Sequence, residues 1–322
     1  MQRDAALTAL AEVLGPVPID AVTPVPGGAT AALLFRIDAG GRRYLLRMEG
    51  PASPLRNPHQ YVSLRMAAEA GIAPVLYYAD EASRTAVMDF IPQQPLRSYP
   101  GGPPALAEAL GALLARLQAT PAFPHFVHYP DIVTRLWAHV CRTGLFAPGV
   151  LDRYTEHLER IKEAYVWDAA RSVSSHNDSI PSNILFDGIS LWMIDWESAY
   201  RNDPLVDVAI VLDNLARSPE LEELLLTAWL GRAPDEALRT RLGLVRALTR
   251  LYYAGVLFSA SATIPRAAPD RNLTAPTAAE FHQATHDTRL KVGTPATKHV
   301  LGKMFLASFF SGVATPGFDL AV

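Results

Sequence analysis

Apolar positions change period several times in the first hundred residues. From Asp4 to Leu14 they recur at helical spacing until Gly15 and Pro16 stop them. Residues 32–37 and 43–48 are short apolar runs separated by Asp38-Ala39-Gly40-Gly41, whose Asp and Gly residues supply turn chemistry, so the pair predicts a β-hairpin. A helix is predicted over 59–70, ended by Gly71 and Pro74, followed by strands over 75–78 and 85–90 around an Asp/Glu/Ser turn. The expected N-terminal part is therefore α+β with a mostly antiparallel sheet.

From Pro103 onward the helical period dominates, over 105–119, 131–142, 150–164, 204–215, 220–230, 235–259 and 297–310. One segment interrupts it: within 173–198, the runs 184–186 and 191–194 flank Asp187-Gly188 and predict two small strands beside a polar loop. Residues 92–104 hold five prolines and two glycines and are the expected linker between two lobes. A second Pro-rich loop is expected over 265–276. No internal repeat or low-complexity tract is present. The apolar stretch 304–314 is about half of the roughly 20 residues that span a bilayer, so it predicts a buried helix and no membrane insertion.

Composition narrows the class. With 322 residues, 49% hydrophobic and 19% charged, the chain has ample material for a buried core. Lys+Arg number 29 against 32 Asp+Glu, and a net charge of -3 supplies no global basic field, so no nucleic-acid partner is expected. Cys141 is the single cysteine, which excludes an intrachain disulfide and a multi-Cys metal site and suits a reducing cytoplasm. The first twenty residues carry Asp4 and Glu12 and lack the apolar core of a secretory signal, so cytoplasmic residence is expected.

Candidate chemistry is concentrated at His176-Asn177-Asp178 and Asn183, followed twelve residues after the Asn by Asp195, which ends an apolar run and opens Asp195-Trp196-Glu197. Asp178 and Asn183 taken alone suit an ordinary turn, and Asp195 a strand-end cap. Together they match what phosphoryl transfer needs: a carboxylate to orient a hydroxyl nucleophile, and oxygen ligands for a Mg²⁺ that neutralises phosphate charge.

These motifs resemble the protein-kinase-like small-molecule kinases, which include the choline/ethanolamine kinases and the aminoglycoside phosphotransferases. Pro26-Gly27-Gly28-Ala29-Thr30 is similar to that family's nucleotide loop, and Tyr44-Leu45-Leu46-Arg47 to the strand carrying its phosphate-contacting cation. Residues 71–78 and Asp89-Phe90-Ile91-Pro92 resemble the strand entry and interlobe hinge of the choline kinase branch, and residues 203–209 the helix after the metal-binding strand. The resemblance implies a two-lobed kinase fold: a small antiparallel-sheet lobe over 1–91 that binds nucleotide, and a larger, mainly helical lobe over 92–322 with the catalytic loop and substrate site. It implies ATP and Mg²⁺ as cofactors and a small-molecule hydroxyl as substrate. The amino alcohols of the choline/ethanolamine branch come first, an aminoglycoside or another sugar or metabolite second, and a nucleotide-binding pseudokinase is the rival of another class.

By the same resemblance Asp178 is the base, His176 braces its loop, and Asn183 and Asp195 hold Mg²⁺. Gly27, Gly28 and Thr30 cover the phosphates and Arg47 contacts them. Asp89 and Ile91 offer a backbone carbonyl and N–H to adenine. Glu197 reads equally as a third acidic ligand, a supporting group or a solvated carboxylate.

Two positions depart from the family pattern. Arg47 stands where most members place Lys. No carboxylate lies between Glu49 and Glu69, where a helix Glu usually pairs with that cation; Gln60 or His59 substitutes, or the pairing is absent, and Arg47 is then expected to be poorly fixed without nucleotide. Elsewhere, His282 and His286 lie at i, i+4 and could share a helix face, but they lack the Glu of a zinc hydrolase, which argues against a metal site. Tyr252, Tyr253, Phe258, Phe305, Phe309 and Phe310 read as helical core before a cation-binding pocket, and Cys141 as inert packing.

Overall fold

The computed structural model describes residues 2–26, 32–50, 57–264, 268–314 and 318. The chain forms two compact units, Met1–Phe126 with Ala170–Ala233, and Val127–Ala169 with Pro234–Val322.

The first unit begins with α1 (Gln2–Leu14), which ends at Gly15, and with a five-stranded antiparallel sheet of β1 (Ile19–Val25), β2 (Leu33–Ala39), β3 (Arg42–Met48), β4 (Leu76–Asp80) and β5 (Thr85–Asp89) in the order β1-β2-β3-β5-β4. The predicted hairpin closes through Gly40 and Gly41, both with positive φ (57° and 74°), which a two-residue turn between right-twisted strands requires. Strand β1 escaped the sequence reading because it is an exposed edge strand containing Pro24, with no alternation of buried and exposed positions to reveal it. Side chains alternate across the sheet. Tyr44, Leu46 and Met48 of β3 join Ile37, Val87 and the apolar side of α1 in one core. Leu45, Arg47 and Glu49 consequently face the other way, the side on which α2 (Gln60–Glu69) lies.

The predicted linker is partly helical. Gln94 N–H donates to the Phe186 carbonyl (2.7 Å), residues Leu96–Ser98 form a 3₁₀ turn, and α3 (Gly102–Gln118) starts three residues earlier than periodicity indicated. Pro103 and Pro104 fit there because the first turn of a helix needs no N–H partners. Gly111 of α3 lets the backbone of α7 (Pro219–Leu230) approach, since a Cβ would stand 2.4 Å from the Leu225 carbonyl oxygen. Short strands β6 (Val173–Ser175), β7 (Ile184–Phe186), β8 (Leu191–Met193) and β9 (Tyr200–Asn202) pair as β6-β9 and β7-β8. Helix α6 (Leu205–Leu215) is buried along residues 205–212, including Asp207.

The second unit is helical: α4 (Tyr129–Arg142), α5 (Asp152–Ala164), α8 (Glu236–Ser261), α9 (Ala278–His286) and α10 (Pro295–Val313). Phe258 and Phe309 are fully buried, as core aromatics should be, and Gly302 of α10 accommodates the Phe258 ring. His282 and His286 are both exposed on α9, and among the described residues no group of three or more His, Cys, Asp or Glu is arranged to hold a metal. Cys141 is exposed on α4 rather than packed, and partial burial of its thiol still pushes it up, away from the reactive thiolate. No helix among the described residues is long and apolar enough to cross a membrane.

Asp270 joins this unit's loops and helices: its carboxylate meets His299 Nε2 at 2.7 Å and Lys303 Nζ at 2.6 Å. Burial alone would raise its pKa, but hydrogen bonds from Lys303, His299 and the Asn272 N–H more than offset this and hold it far below the ordinary 3.8. A depressed folded pKa gives stability that is complete above the unfolded value and fades as pH falls toward the folded one. Asp270→Asn is expected to cost about 2 kcal/mol near neutrality. Urea unfolding at pH 7 and pH 3 should show the gap from wild type narrowing at the lower pH; an unchanged gap would contradict the assignment.

Candidate active site

The loop between β6 and the 3₁₀ turn Pro181–Asn183 is shaped by one buried carboxylate. Asp207, completely buried in the first turn of α6, accepts the His176 N–H (2.7 Å), the Asn177 N–H (2.9 Å) and the Ser179 hydroxyl. Three donors converging on two oxygens satisfy a charge that would otherwise be costly to bury. Asn177 adopts positive φ (62°), which Asn tolerates, and its amide donates to the Ser198 and Tyr200 carbonyls while accepting from Asn202. His176 is fully buried and tied to the strand end: its Nε2 donates to the Ile194 carbonyl (2.8 Å) and its ring lies 4.7 Å from that of Trp196.

Held in this way, the loop leaves Asp178 half-buried and sets it beside Asn183. The Asn183 amide donates to both the Asp178 carbonyl and its carboxylate, each at 2.9 Å. The Ile194 N–H donates to the Asn183 carbonyl (3.0 Å), so the β7-β8 pairing delivers Asp195 one residue beyond Asn183's partner. Asp195 itself is left-handed (φ 67°, ψ 63°) at the start of the 3₁₀ turn Trp196–Ser198, a conformation that costs about 1 kcal/mol. Such a bend is found where a side chain must be aimed.

Asp195 points at Arg47. The guanidinium donates through Nη2 to Asp195 Oδ1 (2.8 Å) and through Nε to Glu49 Oε1 (3.4 Å), with Glu197 Oε2 at 3.6 Å. Burial opposes the charge on Arg47, but Asp195, Glu49 and Glu197 more than offset it and raise its pKa further. The expectation of a poorly fixed Arg47 is therefore corrected: only 13% of its side chain is exposed, and it is held without nucleotide. The missing helix carboxylate is supplied by the strand. Glu49, two residues along, occupies the same face by strand periodicity, and Gln60 at the start of α2 donates to its other oxygen (2.6 Å). Of the two candidates from the sequence, Gln60 thus contacts the cation's partner; His59 instead uses its backbone N–H on Asn57.

Arg47, Glu49, Gln60, Asp195 and Glu197 line a cleft that also includes apolar side chains such as Leu34 and Met88. One guanidinium faces three carboxylates there. Asp195 and the amide oxygen of Asn183 are hard oxygen donors, the type Mg²⁺ takes, and a Mg²⁺ ion normally completes its shell with water and phosphate oxygens. The residues present therefore fit that ion.

At the sheet's end, the Asp89 carboxylate accepts from Tyr77 (2.9 Å), and Arg42 lies over the Tyr44 and Tyr77 rings while contacting both Tyr77 and Asp89. The Asp89 N–H donates to the Val75 carbonyl (2.9 Å), and the Ile91 N–H has no acceptor among the described residues. Gly27, Gly28 and Thr30 lie outside the described residues. Asp207, Glu49 and Tyr77 are the groups that sequence reasoning missed. A lone acid within the apolar run 205–212 was the available signal for the first, and the i, i+2 spacing from Arg47 for the second.

An antiparallel sheet followed by helices, with the Asp178 loop and Asp195 presented beside a sheet-borne cation, defines a kinase-like phosphotransferase architecture. A choline/ethanolamine kinase family protein from Mesorhizobium loti shares the fold over 100% of this chain and 98% of its own, with a TM-score of 0.67 at 20% identity. A spectinomycin phosphotransferase solved with ADP and spectinomycin shares it over 98% of this chain and 97% of its own, with a TM-score of 0.57 at 13% identity. The model of the phosphotransferase enzyme family matches residues 21–242, and the chain belongs to that family. In sequence it is 39% identical to the protein LicA of Haemophilus influenzae over 54 residues, which are 17% of this chain and 20% of that protein. The chain spans a fifth or less of the length of the curated relatives it matches.

Proposed function

We propose that this phosphotransferase moves the γ-phosphate of ATP, with Mg²⁺, to a hydroxyl of a small amino alcohol of the choline/ethanolamine kind. The observation that carries the reading is the pairing of Asp178 with Asn183 on a loop locked by Asp207, next to the Arg47–Asp195 ion pair. In this reading, residues 1–91 hold the nucleotide, with Gly27, Gly28 and Thr30 over its phosphates and the Asp89 carbonyl and Ile91 N–H at the adenine edge. Residues 92–322 carry the loop and the acceptor site. ADP in a related structure supports a nucleotide donor, and the choline/ethanolamine kinase neighbour supports the acceptor class.

Asp178 orients the acceptor hydroxyl and takes its proton as the oxygen bonds to the γ-phosphorus and the bond to ADP breaks. Arg47 meets the phosphate oxygens with fixed donors, and His176 and Asp207 keep the loop from shifting. Mg²⁺, held by Asp195 and Asn183, would supply charge neutralisation on the phosphates. A reducing, ATP-supplied cytoplasm suits both the donor and the lone Cys141.

Phosphate transfer from ATP should be measured across choline, ethanolamine, aminoglycosides and hydroxylated sugars, with and without Mg²⁺. Turnover on the amino alcohols alone is the expected result. Turnover confined to an aminoglycoside or sugar would move the acceptor class, and ATP binding without transfer to any of them would mark a pseudokinase.

A further inference from the structure

We propose that Gln60 is a positioning residue for Arg47: working through Glu49, the α2 amide fixes the cation that meets ATP, so the helix acts through a neutral group and the strand supplies the charge. This rests on the reading of Arg47 as the phosphate-contacting cation.

Three features of the site carry the inference. Glu49 is almost wholly buried (4% exposed), and its two oxygens are divided between Arg47 Nε and Gln60 Nε2. Buried carboxylate oxygens need hydrogen-bond donors, and Gln60 supplies one to the oxygen of Glu49 that Arg47 Nε does not reach. The guanidinium geometry matters as well. Nε and Nη2 point to different carboxylates, Glu49 and Asp195, which the point charge of a Lys could not reproduce. Arg at 47, Glu at 49 and an amide at 60 therefore form one interlocking set.

The helix is also fixed from its other side. Asn57 Nδ2 and the Ser63 hydroxyl both donate to the Ala199 carbonyl, at 2.7 and 2.8 Å, on the segment that follows Asp195 and Glu197. The start of α2 is thus held at once to the cation's partner and to the chain bearing the metal-binding carboxylate. A helix Glu at position 60 would set two carboxylates against each other at 2.6 Å, the separation that the amide now occupies. Gln60 Oε1 has no donor among the described residues, so the amide's orientation is set by Glu49, which accepts only from its N–H side.

Gln60→Met keeps the side-chain volume and removes the donor. Calorimetry with ATP and with adenosine should show ATP affinity falling about tenfold or more, the usual worth of a hydrogen bond to a buried charge, with adenosine affinity unchanged. Gln60→Glu should be worse for ATP than Gln60→Met. The exchange Glu49→Gln with Gln60→Glu restores one carboxylate and one amide and should recover most of the ATP affinity. Equal losses for ATP and adenosine, or a double exchange no better than Gln60→Glu alone, would overturn the positioning role. Wild-type protein that binds ATP no better than adenosine would instead sink the phosphate-cation reading itself, and the proposal with it.

Discussion

Asp178→Asn is expected to lower kcat by a factor of about 100 or more while leaving the fold and ATP affinity nearly unchanged. The substitution preserves shape, and much of what holds the loop lies outside this side chain. Its conformation comes from the three donors that Asp207 accepts and from the Asn183 bond to the Asp178 backbone carbonyl, all of which survive. The asparagine oxygen still accepts from Asn183, and on the proposed reading what is removed is the capacity to take the hydroxyl proton. Steady-state turnover on the accepted alcohol, beside ATP titration by calorimetry, separates the two effects. Near-wild-type turnover in the variant would remove Asp178 from the base role. A parallel loss of ATP affinity would make it a structural residue of the loop.

The elements that periodicity placed in the sequence share one property: their side chains are sorted by burial. The β2-β3 hairpin and the helices α2, α4 and α8 could be placed because apolar positions repeat with the period of the element that buries them. Strand β1 has no such sorting, and β6 (Val-Ser-Ser) and β9 (Tyr-Arg-Asn) lack the apolar runs that marked the equally short β7 and β8. The site follows the same logic with a different limit. Asp178, Asn183 and Asp195 were visible as a spacing, yet what makes the spacing work lies elsewhere in the chain, on Asp207 and on Glu49 with Gln60. The search for a helix carboxylate failed because the carboxylate sits on the strand, two residues from the arginine it serves. Strand periodicity would have found it, had the partner been sought on β3 as well as on α2.

Asp195→Asn is the variant expected to damage nucleotide binding most. Asn tolerates the left-handed backbone at this position as well as Asp does, so the substitution adds no strain of its own, whereas Ala would add about 1 kcal/mol. Two electrostatic losses coincide. On the proposed reading a charged oxygen ligand for Mg²⁺ becomes a neutral amide, and Arg47 loses its 2.8 Å partner while retaining Glu49. Calorimetry with ATP should therefore show that added Mg²⁺ no longer improves binding. Asn183→Ala, which removes a neutral ligand and leaves the Arg47 pair intact, should reduce the Mg²⁺ effect by less. Adenosine supplies the control, because it brings no phosphates to either group and should bind all three proteins alike. Unchanged Mg²⁺ dependence in the Asp195 variant would contradict the metal assignment. Weakened adenosine binding would show instead that the Asp195–Arg47 pair holds the shape of the cleft.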